Sequence, residues 1–291
     1  MPASRSLSLA DALRRAADVL THAGVPDPVV DAELLAAHVL RTGRGAVQAA
    51  ALRGDAVDDD ALAAFDDLVA RRATREPLQH LTGTAPFRHL ELCVGPGVFV
   101  PRPETEIVAQ LAIDALRAAA SPSPVAVDLG TGSGAIALAM ATEVPHARVF
   151  AAEKSPYAFA WAERNLAHVG ADNAHLALAD LADAFPELDG TVSVVASNPP
   201  YVPDAAIPRD PEVRLFDPPA ALYGGVDGLD VVRVLSRTGL RLAHPGGTIV
   251  IEHGEWQGAE IRDLLTADGW RAAATHPDLT LRDRATTALR P

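Results

Sequence analysis

Residues Val125-Ala126-Val127-Asp128-Leu129 form an apolar run interrupted only by Asp128, and Gly130-Thr131-Gly132-Ser133-Gly134 follows at once. A short run this apolar reads as a strand buried on both faces. Glycines at alternate positions let the backbone turn sharply and approach a ligand closely. A helix is expected next, over 133–141. The same alternation continues on both sides. Helices are expected at 107–120, 156–169, 230–242 and 258–267, and strands at 148–152, 175–178, 192–196, 247–252, 270–275 and 285–289. Ser155 is the expected cap of the 156–169 helix, with Pro156 in its first turn. Repeated strand–helix units dictate a mainly parallel sheet with helices on both faces, an α/β fold.

The first part of the chain has another character. Residues 1–80 read as helical throughout, as a small domain of its own. One helix is expected over 9–23, capped by Ser8. A second follows Pro26-Asp27-Pro28 with Val30, Leu34, Leu35 and Val39 on one face. Gly43-Arg44-Gly45 ends it, and a third runs over 58–72 with Leu62, Phe65, Leu68 and Val69 inward. Asp58-Asp59-Asp60 at its start and Arg71-Arg72 at its end suit the helix dipole. Arg71, Arg72 and Arg75 also offer a basic surface to an acidic or RNA-bearing partner. Residues 81–102 read as a linker. Phe87, Leu90, Leu92, Val94, Val98 and Val100 suggest a β-hairpin turning at Gly95-Pro96-Gly97. Residues 103–291 then form the α/β domain.

Bulk properties narrow the class. A chain of 291 residues fits two unequal domains. Its 25 Lys and Arg against 38 Asp and Glu give a net charge of −13. That balance repels the phosphate backbone that supplies most non-specific nucleic-acid affinity, so no nucleic-acid substrate is expected. Cys93 is the only cysteine, which excludes an intrachain disulfide and a cysteine-based metal cluster; no metal is expected. No apolar run is long enough to span a bilayer. The acidic residues Asp11 and Asp18 argue against a transit peptide, so a cytoplasmic location is expected; a monomer is expected as well.

The site residues lie at strand ends. Gly-x-Gly-x-Gly after Asp128 differs from the dinucleotide fingerprint, and it lacks the Lys-Ser/Thr of a phosphate loop. Glu153 ends the second strand 23 residues after Gly130. A carboxylate there can accept bonds from both ribose hydroxyls of a nucleoside cofactor. Asp180 and Leu181 follow the third strand. Asp180 either reaches an adenine edge or caps a helix, while Leu181 can pack on the ring face. This pattern resembles the Rossmann-like class I methyltransferases. The resemblance implies S-adenosylmethionine, held by Gly130, Thr131, Gly132, Ser133, Gly134, Glu153, Asp180 and Leu181, and S-adenosylhomocysteine as product.

The fourth strand runs into Ser197-Asn198-Pro199-Pro200-Tyr201. Asn198 and Pro199 each precede a proline and are held extended. Neither proline has a backbone N–H. The loop therefore presents acceptors, the Asn198 side-chain oxygen and the Pro199 carbonyl, with Tyr201 as a flat wall. An –NH2 group has two donors, which two convergent acceptors can orient. Asn198, Pro199 and Tyr201 are the expected catalytic residues, and Asn198, Pro199, Pro200 and Tyr201 the substrate-binding set, with Asn198 also touching the cofactor.

This loop resembles the acceptor motif of adenine-N6, cytosine-N4, guanine-N2 and protein glutamine methyltransferases. Pro77-Leu78-Gln79-His80-Leu81-Thr82-Gly83, Val100-Pro101-Arg102-Pro103-Glu104-Thr105-Glu106, Asp217-Pro218-Pro219-Ala220-Ala221-Leu222-Tyr223-Gly224-Gly225-Val226-Asp227-Gly228-Leu229 and Glu252-His253-Gly254 decide among them. Together they resemble the peptide chain release factor glutamine methyltransferases over essentially the whole chain. The resemblance implies N5-methylation of the glutamine in a Gly-Gly-Gln motif of class I release factors, with the helical domain gripping that partner. Ribosomal-protein glutamine methyltransferases are the nearest alternative, and DNA or RNA amino methyltransferases a more distant one. Leu181 departs from relatives that carry an aromatic there. Phe87 and Arg102 either roof the cofactor or, respectively, fill the core and serve an ion pair.

Overall fold

The structure is a computed structural model that describes residues 7–291. The first six residues of the expected 1–80 domain lie outside the described part. Chain packing divides the protein into two units. One runs up to Gly83 and includes Pro208–Phe216; the other comprises Thr84–Ile207 and Asp217–Pro291.

The first unit is helical: α1 Leu9–His22, α2 Pro28–Val39, α3 Arg44–Arg53, α4 Asp59–Ala73 and α5 Leu78–Thr82. Ser8 caps α1 by accepting from the Asp11 N–H, and Asp58 caps α4 by accepting from the Ala61 N–H. Its core is built from Leu9, Leu20, Leu35, Val47, Phe65, Val69 and Leu81. Two expectations are corrected. The inward face of α2 runs through Asp31, Ala32, Leu35 and Ala36, with Val39 packed against the same core, whereas Val30 and Leu34 do not belong to it. The reason is Arg72, which is buried and ion-paired to Asp31 at 2.7 Å, so α2 rotates its acid inward. The second is α3, which begins within the Gly43-Arg44-Gly45 break where no helix was expected.

The arginine cluster is consumed inside this unit. Arg71 pairs with Glu76, and Arg72 and Arg75 both pair with Glu212. Glu212 lies on the short helix Pro211–Phe216, and although burial opposes ionisation, the Arg75 pairing holds its carboxyl down at about 2. A basic docking surface at these three residues is therefore not what the fold presents.

The second unit opens with a hairpin, β1 Thr84–Phe87 and β2 Leu90–Cys93. Its turn is at Arg88-His89, with Arg88 in the left-handed region, and not at Gly95-Pro96-Gly97. Gly95 instead passes beneath Trp161, where a Cβ would come within 2.5 Å of the indole. Val94, Val98 and Val100 pack there with Ala158 rather than forming a strand.

The remaining elements are α6 Glu106–Ala118, β3 Val125–Leu129, α7 Ala135–Glu143, β4 Arg148–Glu153, α8 Pro156–Val169, β5 Ala174–Leu178, β6 Val192–Ser197, α9 Pro211–Phe216 (which carries Glu212 and belongs to the helical unit), α10 Pro219–Leu222, α11 Asp230–Leu242, β7 Ala243–Glu252, α12 Gly258–Asp268, β8 Arg271–Pro277 and β9 Asp283–Leu289. The sheet order is β5-β4-β3-β6-β7-β9-β8, parallel through β7 and antiparallel at β9 and β8. Both faces are covered, and the strands alternate between two cores. Ala126, Val194, Ala196 and Val250 face one, with α6 and α7; Val127, Leu129, Val195, Ile249 and Ile251 face the other, with α11 and α12. Helix α7 is buried from Ala135 to Ala141, as an all-apolar helix must be. Phe87 is fully buried in the first of these cores, so it fills the interior.

This order places the site. The chain leaves β3 toward β4 and β5 on one side, then returns to β6 on the other. The cleft at that reversal, outside the carboxyl ends of β3 and β6, is where open α/β sheets bind ligands.

Candidate active site

The glycine loop leaves β3 at this edge. Gly130, Gly132 and Gly134 have φ of 75°, 59° and 87°, the left-handed region that L side chains avoid. A Cβ on Gly130 or Gly132 would meet nothing within 4 Å, so the loop lines open space rather than filling it. Asp128 holds the loop from below. Its Oδ2 accepts from Thr131 Oγ1 at 2.6 Å and from the Ala137 N–H at 3.1 Å, capping α7 where Gly134 has no side chain to do so. Burial pushes the Asp128 carboxyl up to about 7, against those two bonds. Ser133 is buried, and its carbonyl accepts from Asn165 Nδ2 at 2.9 Å. Asn165, fully buried on α8, also bonds both backbone groups of Cys93, at 2.6 and 2.9 Å. One side chain thus ties the glycine loop to β2.

Glu153 ends β4 beside the loop. Its Oε2 accepts from the Gly132 N–H at 2.9 Å and its Oε1 from the Ser155 N–H at 2.8 Å. The carboxylate is fixed in rotation and retains acceptor capacity on both oxygens. Asp180, after β5, is exposed; its Oδ1 accepts from the Ala182 N–H at 3.0 Å within a turn. Turn residues follow it, and the short 3-10 helix Pro186–Leu188 beyond them starts after Phe185, so Asp180 caps no helix. Leu181 is half-buried against the second core.

The Asn198 loop leaves β6, the strand beside β3. Ser197 Oγ donates to the Leu129 carbonyl at 2.6 Å, pinning the two strand ends together. Asn198 is half-buried and Pro199 buried. Asn198 Nδ2 donates to Thr105 Oγ1 at 3.3 Å. Among the described residues, no N–H or O–H donates to Asn198 Oδ1 or to the Pro199 carbonyl. Tyr201 is held at both ends: its hydroxyl donates to Glu252 Oε1 at 3.4 Å and its carbonyl accepts from Gln257 Nε2 at 3.0 Å.

The 217–229 stretch braces this loop. Val202 N–H donates to the Leu222 carbonyl at 2.8 Å and Gly224 N–H to the Val202 carbonyl at 2.9 Å. A Cβ on Gly224 would lie 2.5 Å from the Pro200 carbonyl oxygen, and one on Gly228 only 2.2 Å from that of Tyr201. Both glycines are needed for this approach. Arg102 pairs with Asp217 at 2.7 Å and stacks over Phe99, so it serves the ion pair.

Glu252 ends β7, next to β6. It is fully buried, its Oε2 has no hydrogen-bond partner, and burial raises its carboxyl to about 7. His253 is buried and bonded to Gly254 and Thr286, and burial lowers its pKa, which favours the neutral imidazole. Along the sheet edge the residues therefore run Asp180 and Leu181, Glu153, the glycine loop, Asn198 to Tyr201, and Glu252. Asp128, Asn165, Thr105, Glu252 and Gln257 are the contributors whose roles the sequence reading did not assign. Thr105 and Glu252 stood inside quoted motifs; an Asp inside a buried strand is the signal that marks Asp128. Asn165 carries no signal in the sequence, since its partners lie 72 and 32 residues away.

Such an edge has known counterparts. Residues 11–83 match the model of the PrmC N-terminal domain, and residues 89–217 that of the methyltransferase small domain. A release factor glutamine methyltransferase of Streptomyces coelicolor is 50% identical over 96% of this chain and 96% of its own length. A 4-amino-L-phenylalanine/4-methylamino-L-phenylalanine methyltransferase of Streptomyces pristinaespiralis is 40% identical over 97% of this chain and 95% of its own length. Among solved structures, a 16S rRNA N2 methyltransferase of T. thermophilus in complex with AdoMet and guanosine aligns over 72% of this chain and 50% of its own. The TM-score is 0.54 and the identity 19%, a likeness of fold. With one relative identical at half of the aligned residues over 96% of the chain, and both domain models in their places, the chain belongs to the release factor glutamine methyltransferase family.

Proposed function

We propose that this chain transfers a methyl group from S-adenosylmethionine to the side-chain amide nitrogen of the glutamine in the Gly-Gly-Gln motif of class I peptide chain release factors, giving N5-methylglutamine. The observation that carries this reading is the pair of acceptors, Asn198 Oδ1 and the Pro199 carbonyl, with no donor of the protein's own.

S-adenosylmethionine supplies an electrophilic methyl on a sulfonium. The residues fit it: Gly130 and Gly132 leave room for close backbone approach, Glu153 offers both oxygens to a ribose diol, and Leu181 gives an apolar face for the adenine. An amide nitrogen is a weak nucleophile because its lone pair is delocalised. Asn198 Oδ1 and the Pro199 carbonyl would take both of its N–H groups, raise electron density on nitrogen and fix its direction. That contribution is positioning and electrostatics. Once methylated, the nitrogen loses its extra proton readily, so no general base is needed first. His253, neutral and already bonded, is consistent with that. Tyr201, held by Glu252 and Gln257, walls the pocket.

The same acceptors select against glutamate, whose carboxylate has no proton for either of them. The helical unit would serve as the grip on the release factor. The 40% identical relative named for an aromatic amine shows why the acceptor needs direct measurement. Purified protein is incubated with S-adenosylmethionine and a release factor, its Gln→Glu variant, or 4-amino-L-phenylalanine, and products are located by mass spectrometry. One methyl on the Gly-Gly-Gln glutamine, and none on the Glu variant, is expected. Methylation of the amino acid alone would overturn the proposal.

A further inference from the structure

Two side chains behind the acceptor loop, Gln257 and His253, have one hydrogen-bond arrangement open to them. Gln257 stands just before α12. One end of its carboxamide meets the Gly254 N–H at 2.9 Å; the other meets the carbonyls of Tyr201 and Asp227, at 3.0 and 3.4 Å. A backbone N–H can only donate and a carbonyl can only accept. Oε1 therefore faces Gly254, and Nε2 faces the two carbonyls. Gly228 leaves room for this, since a Cβ there would lie 2.8 Å from Nε2.

The turn that carries Gly254 is fixed from behind. His253 is fully buried, and its ring partners are the Gly254 carbonyl at Nδ1, 2.9 Å away, and the Thr286 hydroxyl at Nε2, 2.8 Å away. The carbonyl requires a proton on Nδ1. A buried imidazole with no carboxylate on its ring stays neutral, so Nε2 is bare and accepts from Thr286. That uses the Thr286 proton. Thr286 must then accept from Thr275, its cross-strand partner on β8, whose Oγ1 lies 3.1 Å away. The Gly258 carbonyl, at 3.5 Å, is the more distant acceptor for the Thr275 proton. Thr275 in turn accepts from Arg262 on α12, a group that can only donate. An obligate donor at one end and an obligate acceptor at the other thus orient every hydrogen bond from α12 to Gly254.

We propose that Gln257 and His253 are positioning residues of the acceptor site. Gln257 fastens the Tyr201 carbonyl. The chain Arg262–Thr275–Thr286–His253 holds the turn against which Gln257 is set. Between Pro199 and Tyr201 the backbone has little freedom, because Pro200 fixes its own φ and holds Pro199 extended. A carbonyl fastened at Tyr201 therefore limits the direction of the Pro199 carbonyl, which is to receive the substrate N–H. Neither side chain touches the substrate. Their part in the reaction rests on the reading of Pro199 under Proposed function; the direction of the hydrogen bonds is a property of the protein alone.

The test uses the full chain with S-adenosylhomocysteine bound. Long-range nitrogen–proton correlation spectra of the histidine rings report which nitrogen holds the proton, with His253 assigned by its loss in His253→Gln. The proton is expected on Nδ1 in the wild type and in Thr286→Ser. In Thr286→Val, Nε2 loses its donor and its nitrogen signal should move. With a methyl acceptor present, Gln257→Glu, which keeps the size and discards the donor, should lose about tenfold in kcat, the scale of one lost hydrogen bond, with the cofactor KM within about threefold. Thr286→Val should show the same split, and Thr286→Ser should recover most of the rate. Should Gln257→Glu not fold, the Thr286 pair decides. A proton on Nε2, a kcat for Gln257→Glu equal to that of the wild type, or equal damage from Val and Ser at Thr286 would overturn the proposal. Failure of the wild type to methylate glutamine would instead overturn the acceptor reading, and the spectra would still decide the direction of the chain.

Discussion

Replacing Asn165 by alanine tests how the glycine loop is held. This side chain is fully buried and makes three bonds: it accepts from the Cys93 N–H at 2.6 Å and donates to the Cys93 and Ser133 carbonyls at 2.9 Å each. Truncation leaves one N–H and two carbonyls unpaired. Each buried polar group so stranded costs about 1–3 kcal/mol, and water reaching half-buried Cys93 keeps the sum toward the low end, about 3 kcal/mol. In a domain of about 200 residues that lowers Tm by roughly 6–12 °C. Because Ser133 closes the loop, affinity for S-adenosylhomocysteine should also fall about tenfold, one further lost hydrogen bond's worth. Calorimetry measures both quantities. Asn165→Asp should be no better than alanine, since it discards both donors and buries a charge. A Tm within about 2 °C of wild type, under 1 kcal/mol by the same scaling, together with unchanged affinity, would refute the reasoning.

Three other outcomes follow from the site. Asn198→Ala should lower kcat by about a hundredfold or more, the scale for removing one preorganised transition-state partner, while cofactor affinity changes little; steady-state kinetics with a glutamine-bearing acceptor checks this. Glu153→Ala should weaken cofactor binding about tenfold or more and lower Tm modestly, since it strips partners from the Gly132 and Ser155 N–H groups; titration calorimetry reads it. The third concerns pH. Asp128 is raised from 3.8 to about 7, so its folded form favours the proton. The associated stability is fully present below about pH 4 and is lost as pH rises through 7, in amount on the order of 1–4 kcal/mol. Glu252 shifts in the same direction. Tm of the ligand-free protein should therefore fall as pH rises from about 5 to 7 and level off above that, and Asp128→Asn should flatten part of that slope in denaturation scans.

Much of this molecule was legible in its sequence because the informative residues are local. The strands β3, β4 and β6 and helix α8 sit where apolar runs, glycines and the Ser155-Pro156 start place them, within a residue or two. The glycine loop and the Asn198 loop are contiguous, and proline and glycine chemistry acts on the nearest neighbours. What escaped depends on distant partners. The inward turn of α2 follows from Arg72, 41 residues on. The hairpin turn lies at Arg88 because that arginine spends its side chain on Glu143 and Gln110 and its N–H on Glu106. Gly95-Pro96-Gly97 has turn composition, yet its glycines serve the close passage of Trp161 and Tyr157. Helix α9 packs with the first unit through Glu212, a pairing 137 residues long that no periodicity encodes. Likewise, Asn198 meets Thr105 through the turn before α6, and Tyr201 meets Glu252 through the β6–β7 register.

The central claim concerns which atoms meet the acceptor nitrogen. A crystal structure with S-adenosylhomocysteine and a peptide carrying the Gly-Gly-Gln motif measures it directly. The account predicts the glutamine nitrogen within hydrogen-bond distance of both Asn198 Oδ1 and the Pro199 carbonyl, with its lone pair directed at the sulfur. A glutamine entering with its carbonyl oxygen toward Asn198, or seated away from the 198–201 loop, would contradict it.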